Sequence, residues 1–190
     1  PQAARVDAHL LNRRGVVRLC YAGSVLHALP DGMMQTREPL QIGAELFGHA
    51  GLESDIEIQQ LMLKALGAIG VNGVHLDLGH VGIFQALMEH GSVSAELEAA
   101  LFLALQNKDV PTLTTLVQVL DEPTRNAVLQ LPQLYGGADI LAQAQQRLPD
   151  YPEVRAALRD LSAIAASLNG MVESVAFDLA ELRGYHYHSG

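Results

Sequence analysis

Three observations predict an α+β fold. Val74, Leu76 and Leu78 alternate with His75 and Asp77, the period-two pattern of a strand with one buried face. After Gly82 the apolar spacing lengthens to helical stripes, such as Leu97/Leu101/Leu105 and Val154/Leu158/Leu161/Ala165/Leu168. Strand character then returns at Val175–Leu179 and again at Tyr185–Ser189. A chain of 190 residues, 49% hydrophobic, is long enough for one domain with a real core, or one domain plus a small insert.

Taken in order, residues 2–12 read as a helix with Ala4, Ala8 and Leu11 on one side. Val16–His27 is rich in β-formers, Pro30-Asp31-Gly32 signals a turn, and Leu40–Gly48 reads as a second strand. Residues 16–48 are therefore expected to form an antiparallel hairpin. Ser54-x-x-Glu57 reads as a capping box, opening a helix with Ile58, Leu61, Met62, Ala65, Leu66 and Ile69 on one stripe. Asn72-Gly73 turns the chain into the strand at Val74. Residues 83–170 read as an inserted helical subdomain. Pro111 and Pro152 fit first helical turns, and Asn169-Gly170 fits a helix end. The strands before and after this stretch are expected to share a sheet.

Composition narrows the function. A net charge of −9 argues against tight nucleic-acid binding, which depends on neutralising phosphates. Only residues 1–50 lean basic: Arg5, Arg13, Arg14, Arg18 and Arg37 stand against Asp7, Asp31, Glu38 and Glu45. No run approaches the ~20 apolar residues of a membrane span, and no signal peptide is apparent. The single cysteine, Cys20, excludes an internal disulfide and a multi-cysteine zinc site, and reads as a small buried hydrophobe. A reduced, cytoplasmic setting is expected. The ends, without Met at the start and just past a histidine-rich motif at the finish, suggest a piece of a longer protein.

Three clusters carry candidate chemistry. On a strand, Gln41, Gly43 and Glu45 share one face. A carboxylate and an amide with a glycine between them suit a small zwitterion, although by pattern alone an ordinary solvated face is favoured. Arg183-Gly184-Tyr185-His186-Tyr187-His188 reads either as a pocket wall, with Arg183 as a carboxylate or phosphate clamp, or as a half-buried aromatic strand. Its His-x-His pair lacks the further ligands that zinc needs, so no metal is expected. Gly79-His80-Val81-Gly82 places an imidazole at a strand-to-helix junction, where a capping role is the simpler reading. Walker-type phosphate loops, Gly-x-Ser-x-Gly and His-Glu-x-x-His are all missing.

Arg18–His27 followed by Arg37–His49 resembles motif 2 of class II aminoacyl-tRNA synthetases in its histidyl form. Arg183-Gly184 resembles the histidine-binding signature of histidyl-tRNA synthetases, which carry a helical insertion between the two. The departures are specific. His27 and Leu29 stand where those synthetases have the Arg that grips the ATP phosphate and its companion Glu. The tyrosine pair of the second signature is Tyr187-His188, and its Asp is His186. With Leu76–Gly82, Leu134–Gly137 and Gly184–Gly190, the set resembles the regulatory subunits of ATP phosphoribosyltransferase.

That resemblance implies a class II synthetase-like antiparallel sheet flanked by helices, with motif 1 before Pro1 and motif 3 after Gly190. It implies no catalytic residues and no cofactor. The implied partner is a short-form ATP phosphoribosyltransferase catalytic subunit, which the regulatory chain activates and helps bring under histidine feedback. The implied assembly is a hetero-octamer built on synthetase-like dimers. Carried over by position, Gln41 and Glu45 face the bound amino acid, Arg183 its carboxylate, and Tyr187 and His188 its imidazole. A divergent histidyl-tRNA synthetase and a stand-alone amino-acid sensor are the competing readings.

Overall fold

The computed structural model describes residues 2–28 and 36–185. The chain divides into two compact units, residues 1–61 and 62–190, with the boundary inside one long helix.

The first unit opens with a short helix α1 (Gln2–Arg5), which continues as a π-helical turn over Val6–Leu11. Strands β1 (Val17–Ser24) and β2 (Leu40–Phe47) pair antiparallel, with Val17 opposite Phe47 and Ser24 opposite Leu40. The ladder runs beyond the strands: Val25 N donates to Pro39 O and His27 N to Arg37 O. This is the expected hairpin. Helix α2 (Leu52–Ala68) follows and begins two residues before Ser54, so the expected capping box is not one. His49 stands beside this helix start: Gly51 N donates to its Nδ1 at 3.2 Å, and Ser54 Oγ lies 2.7 Å from the same nitrogen. Arg18 holds Glu57 through two N–H donors, fixing α2 to the ribbon.

No described residue of the first unit is buried. Leu40 and Ile42 are exposed, and so is Cys20, contrary to its expected burial. Cys20 pairs with Ala44 on the ribbon face that also carries Ile42, and a two-stranded ribbon buries little by itself.

The second unit holds the core. Strands β3 (His75–Leu78) and β5 (Ser174–Asp178) run parallel, and a two-residue strand β4 (Tyr135–Gly136) adds antiparallel to β5. The sheet order is β3-β5-β4, joining strands about a hundred residues apart in sequence, as expected. Around it lie α3 (Val81–His90), α4 (Ala95–Gln106), α5 (Val110–Leu116), α6 (Glu122–Gln130), α7 (Asp139–Arg147) and α8 (Pro152–Ser167). Most of the two stripes read from the sequence is buried, with Leu101, Leu105, Leu158, Leu161 and Leu168 nearly inaccessible and Leu97 and Ala165 half-buried. In α2, burial falls on Leu63, while Leu61 and Met62 from the expected stripe, and Ile69 just past the helix end, are exposed.

Helices α3 to α6 are each started by a side chain, whereas α7 and α8 have no side-chain cap. Ser94, Asp109 and Asp121 accept from the backbone N–H groups of Leu97, Thr112 and Thr124, replacing hydrogen bonds that a first turn lacks. His80 does the same for α3, accepting from Gly82 N at 3.1 Å. This settles the Gly79–Gly82 motif as a cap.

Candidate functional site

The predicted residues lie in both units. In the first, Gln41, Gly43 and Glu45 share one face of β2 with Tyr21, which pairs with Gly43 across the ladder. The space above Gly43 is not open. The Tyr21 ring lies there, so that a Cβ on residue 43 would overlap its Cζ and Oη. Tyr21 Oη accepts a hydrogen bond from Gln41 Nε2 at 3.0 Å, leaving the Gln41 carbonyl oxygen as the amide's acceptor. Gln41 and Glu45 are four residues apart, roughly 13 Å along a strand, and the tyrosine fills the interval. Tyr21 is thus a member of this face that a pattern read along β2 alone could not reveal. Its signal was the register, which pairs an aromatic residue with a glycine. At the end of the same ribbon His27 is backbone-paired with Arg37, whose Nε donates to the His27 carbonyl at 3.1 Å. Leu29 lies outside the described residues.

In the second unit, Arg183 borders a cleft of about 340 Å³ at the carboxyl ends of β3 and β5, together with Asp77, Lys108, Tyr135, Asp178 and Glu181. Gly79 brings this region together: a Cβ there would meet the carbonyl oxygens of Asp178 and Glu181 at 3.0 and 2.8 Å. The Arg183 side chain is 81% exposed and is held by Glu181, which accepts from Arg183 Nε at 2.9 Å and Nη2 at 2.5 Å. Those hydrogen bonds, ahead of the charge itself, hold the Glu181 carboxyl below its ordinary range. Lys108 donates to Asp178 Oδ2 at 2.7 Å and lies 5.2 Å from the Tyr135 ring centroid. The hydrogen bond it donates to Asp178 raises the Lys108 ammonium above its ordinary value. Both cations are therefore partnered by carboxylates of the same cleft, and the mixed lining suits a ligand carrying both signs of charge.

Tyr185 does not continue a strand, as the sequence suggested. It closes a turn, donating its N–H to Leu182 O at 3.0 Å, with Gly184 at φ +85°. That left-handed position favours glycine. The Tyr185 hydroxyl donates to Glu98 Oε1 at 2.5 Å. Burial first, then this bond and the Glu98 charge, push the phenol well above its ordinary value. His186, Tyr187 and His188 lie outside the described residues. Among the described residues no cluster of His, Cys, Asp or Glu could hold a metal, and no helix is long and apolar enough to cross a membrane.

The antiparallel ribbon, the mixed sheet and the helices between its strands give the α+β architecture of class II synthetase-like proteins. The histidyl-tRNA synthetase family model matches residues 1–190, and the chain belongs to that family. It is 55% identical over 194 residues to the ATP phosphoribosyltransferase regulatory subunit of Nitrosospira multiformis, covering all of this chain and 49% of that protein. It is 56% identical over 190 residues to that of Ralstonia pickettii, again covering 49% of the relative. The chain thus spans about half the length of the curated relatives it matches. Among solved structures, an ATP phosphoribosyltransferase regulatory subunit/histidyl-tRNA synthetase from Bacillus halodurans superposes with a TM-score of 0.79 at 26% identity, covering 95% of this chain and 48% of that one. A chain of the ATP phosphoribosyl transferase (HisG:HisZ) complex from Thermotoga maritima shares the fold, with a TM-score of 0.70 at 16% identity, covering 99% and 66%.

Proposed function

We propose that this chain is part of a regulatory subunit of ATP phosphoribosyltransferase, with no chemistry of its own. The full-length protein binds a short-form catalytic subunit, raises its activity and takes part in its inhibition by histidine. The observation that carries the reading is the identity of 55% to a regulatory subunit across the whole chain. His27 supports it from the residue side. An imidazole stands where adenylation needs a guanidinium on the ATP phosphate, which removes much of the electrostatic basis for that step.

In this reading Gln41, Glu45, Arg183, Tyr187 and His188 form the effector site, and residues 83–170 are an insertion in a synthetase-like core. The regulatory chains pair as synthetase-like dimers within a cytoplasmic hetero-octamer. The test is to mix the full-length protein with a short-form catalytic subunit and follow ATP phosphoribosyltransferase activity, with and without histidine. Activation that histidine reverses is the expected result. Histidine-dependent pyrophosphate exchange by the full-length protein alone would overturn it in favour of an amino-acid-activating enzyme.

A further inference from the structure

The segment that carries Arg183 runs from Asp178, at the end of β5, to Tyr185, and α4 holds it at both ends. Lys108, just past the end of α4, bonds Asp178 Oδ2 at 2.7 Å. Asp178 is 6% exposed, and its second oxygen accepts from Ala180 N at 3.0 Å. Glu98, in the first turn of α4, accepts from the Tyr185 hydroxyl at 2.5 Å. The Tyr185 ring stands edge-on to Phe84 of α3, with centroids 5.5 Å apart, and lies 5.4 Å from Phe102 of α4. Glu98 and Lys108 are ten residues apart, roughly 15 Å along a helical rise, so the helix runs beside the segment rather than touching it at one point.

Between the two tethers, Leu179, Ala180 and Leu182 are buried. Buried apolar side chains and two fixed ends leave the backbone little freedom, and Arg183 is the side chain that turns outward. Lys108 itself sits at φ +51°, a region uncommon for residues other than glycine. Glycine would suit that backbone better, but only the lysine supplies the ammonium that reaches Asp178.

We infer that α4 is a splint that sets the position of Arg183, with Tyr185 and Lys108 as its positioning residues. Tyr185 anchors the turn instead of lining a ligand pocket. The consequence for histidine rests on the proposed function; the splint does not. Any displacement of α4 within the helical region is passed through these two bonds to the backbone that carries Arg183.

Hydrogen exchange on the full-length protein tests the splint directly. The reporters are the amides of Arg183, bonded to Glu181 Oε1, and of Tyr185, bonded to Leu182 O. Tyr185→Phe and Glu98→Ala each remove a bond to a charged group and should speed exchange at both amides about ten-fold or more. Glu98→Gln keeps an acceptor but not the charge and should fall between wild type and Glu98→Ala. Lys108→Met should speed exchange at Ala180, and Lys108→Arg should restore it. Tyr185→Phe retains the ring, so the fold is kept. Unchanged exchange at Arg183 and Tyr185 in both Tyr185→Phe and Glu98→Ala overturns the inference.

Histidine calorimetry on the same proteins separates the two ideas. The expected result is that Tyr185→Phe and Arg183→Gln both weaken binding. If Arg183→Gln weakens binding while Tyr185→Phe loosens the turn without weakening it, the positioning role is overturned. If Arg183→Gln binds histidine like wild type while the exchange response holds, the splint stands and the effector reading falls.

Discussion

The ring of Tyr21 occupies the space that Gly43 leaves on the opposing strand, and its hydroxyl accepts from Gln41. A glycine in a strand exposes backbone and packs nothing, and the cross-strand aromatic covers it. Tyr21→Phe keeps the cover and deletes the acceptor. We expect a loss of about 0.5–1.5 kcal/mol, the usual net worth of one hydrogen bond. Gly43→Ala should swing the ring aside, freeing the same amide. The side-chain amide resonances of Gln41 report both changes, and amide signals that do not move in either variant would refute the arrangement.

Glu45 is half-buried on the same face, opposite Leu19. In the proposed effector site it accepts from a cationic or N–H group of histidine. A charge-assisted bond is worth about 1.5–3 kcal/mol, so Glu45→Ala should weaken histidine binding roughly ten-fold or more. Calorimetry on the full-length protein, alone and with the catalytic subunit, checks this. Equal affinity in the two proteins would place histidine sensing elsewhere in the complex.

Asp121 starts α6 by accepting from Thr124 N at 3.2 Å, and Thr124 is buried. Asp121→Ala should cost about 1 kcal/mol and Asp121→Asn only a few tenths. The bonds from Thr124 hold the Asp121 carboxyl below its ordinary value of 3.8. The folded-state value being the lower one, the cap's electrostatic contribution is complete above pH 3.8 and is lost as pH falls through that lowered value. Denaturant midpoints of wild type and Asp121→Asn should therefore converge below pH 3.8 and separate above it.

The parts of the fold legible in the sequence are those whose residues bury their own pattern. The stripes of α4 and α8 meet partners within the same unit, so period predicted the burial of Leu101, Leu105, Val154, Leu158, Leu161 and Leu168, while Leu97 and Ala165 are half-buried. The hairpin was legible for a different reason: β-formers on both sides of a turn signal fix its pairing. Where burial was weak, local rules misled. Ser54 carries a capping-box pattern, but α2 begins two residues earlier and the Ser54 hydroxyl lies against the His49 ring. The two-residue β4 carries no periodicity at all and exists because β5 offers it an edge. In the candidate site, Gln41, Glu45 and Arg183 were named from residue type and resemblance. Tyr21, Lys108 and Glu98 were missed because their roles depend on register and tertiary approach, which no single window contains.

His80 supplies the last test. Its Nδ1 accepts from Gly82 N at 3.1 Å, so the ring proton belongs on Nε2, which lies 4.0 Å from Asp160 Oδ2 on α8. The imidazole thus caps α3 with one nitrogen and faces a carboxylate with the other. The His80 side chain is 18% exposed, in a β-region backbone suited to a cap. Asparagine offers a carbonyl oxygen at the same position, so His80→Asn should cost only a few tenths of a kcal/mol, whereas His80→Ala should cost about 1 kcal/mol. Asp160→Asn should have the smaller effect, because at 4.0 Å the pair orients the ring more than it stabilises the helix. Nitrogen chemical shifts of the ring identify the tautomer, and urea unfolding gives the energies. A ring with its proton on Nδ1, or an alanine variant as stable as wild type, would remove the capping role and reopen His80 as a functional group at the lip of the sheet.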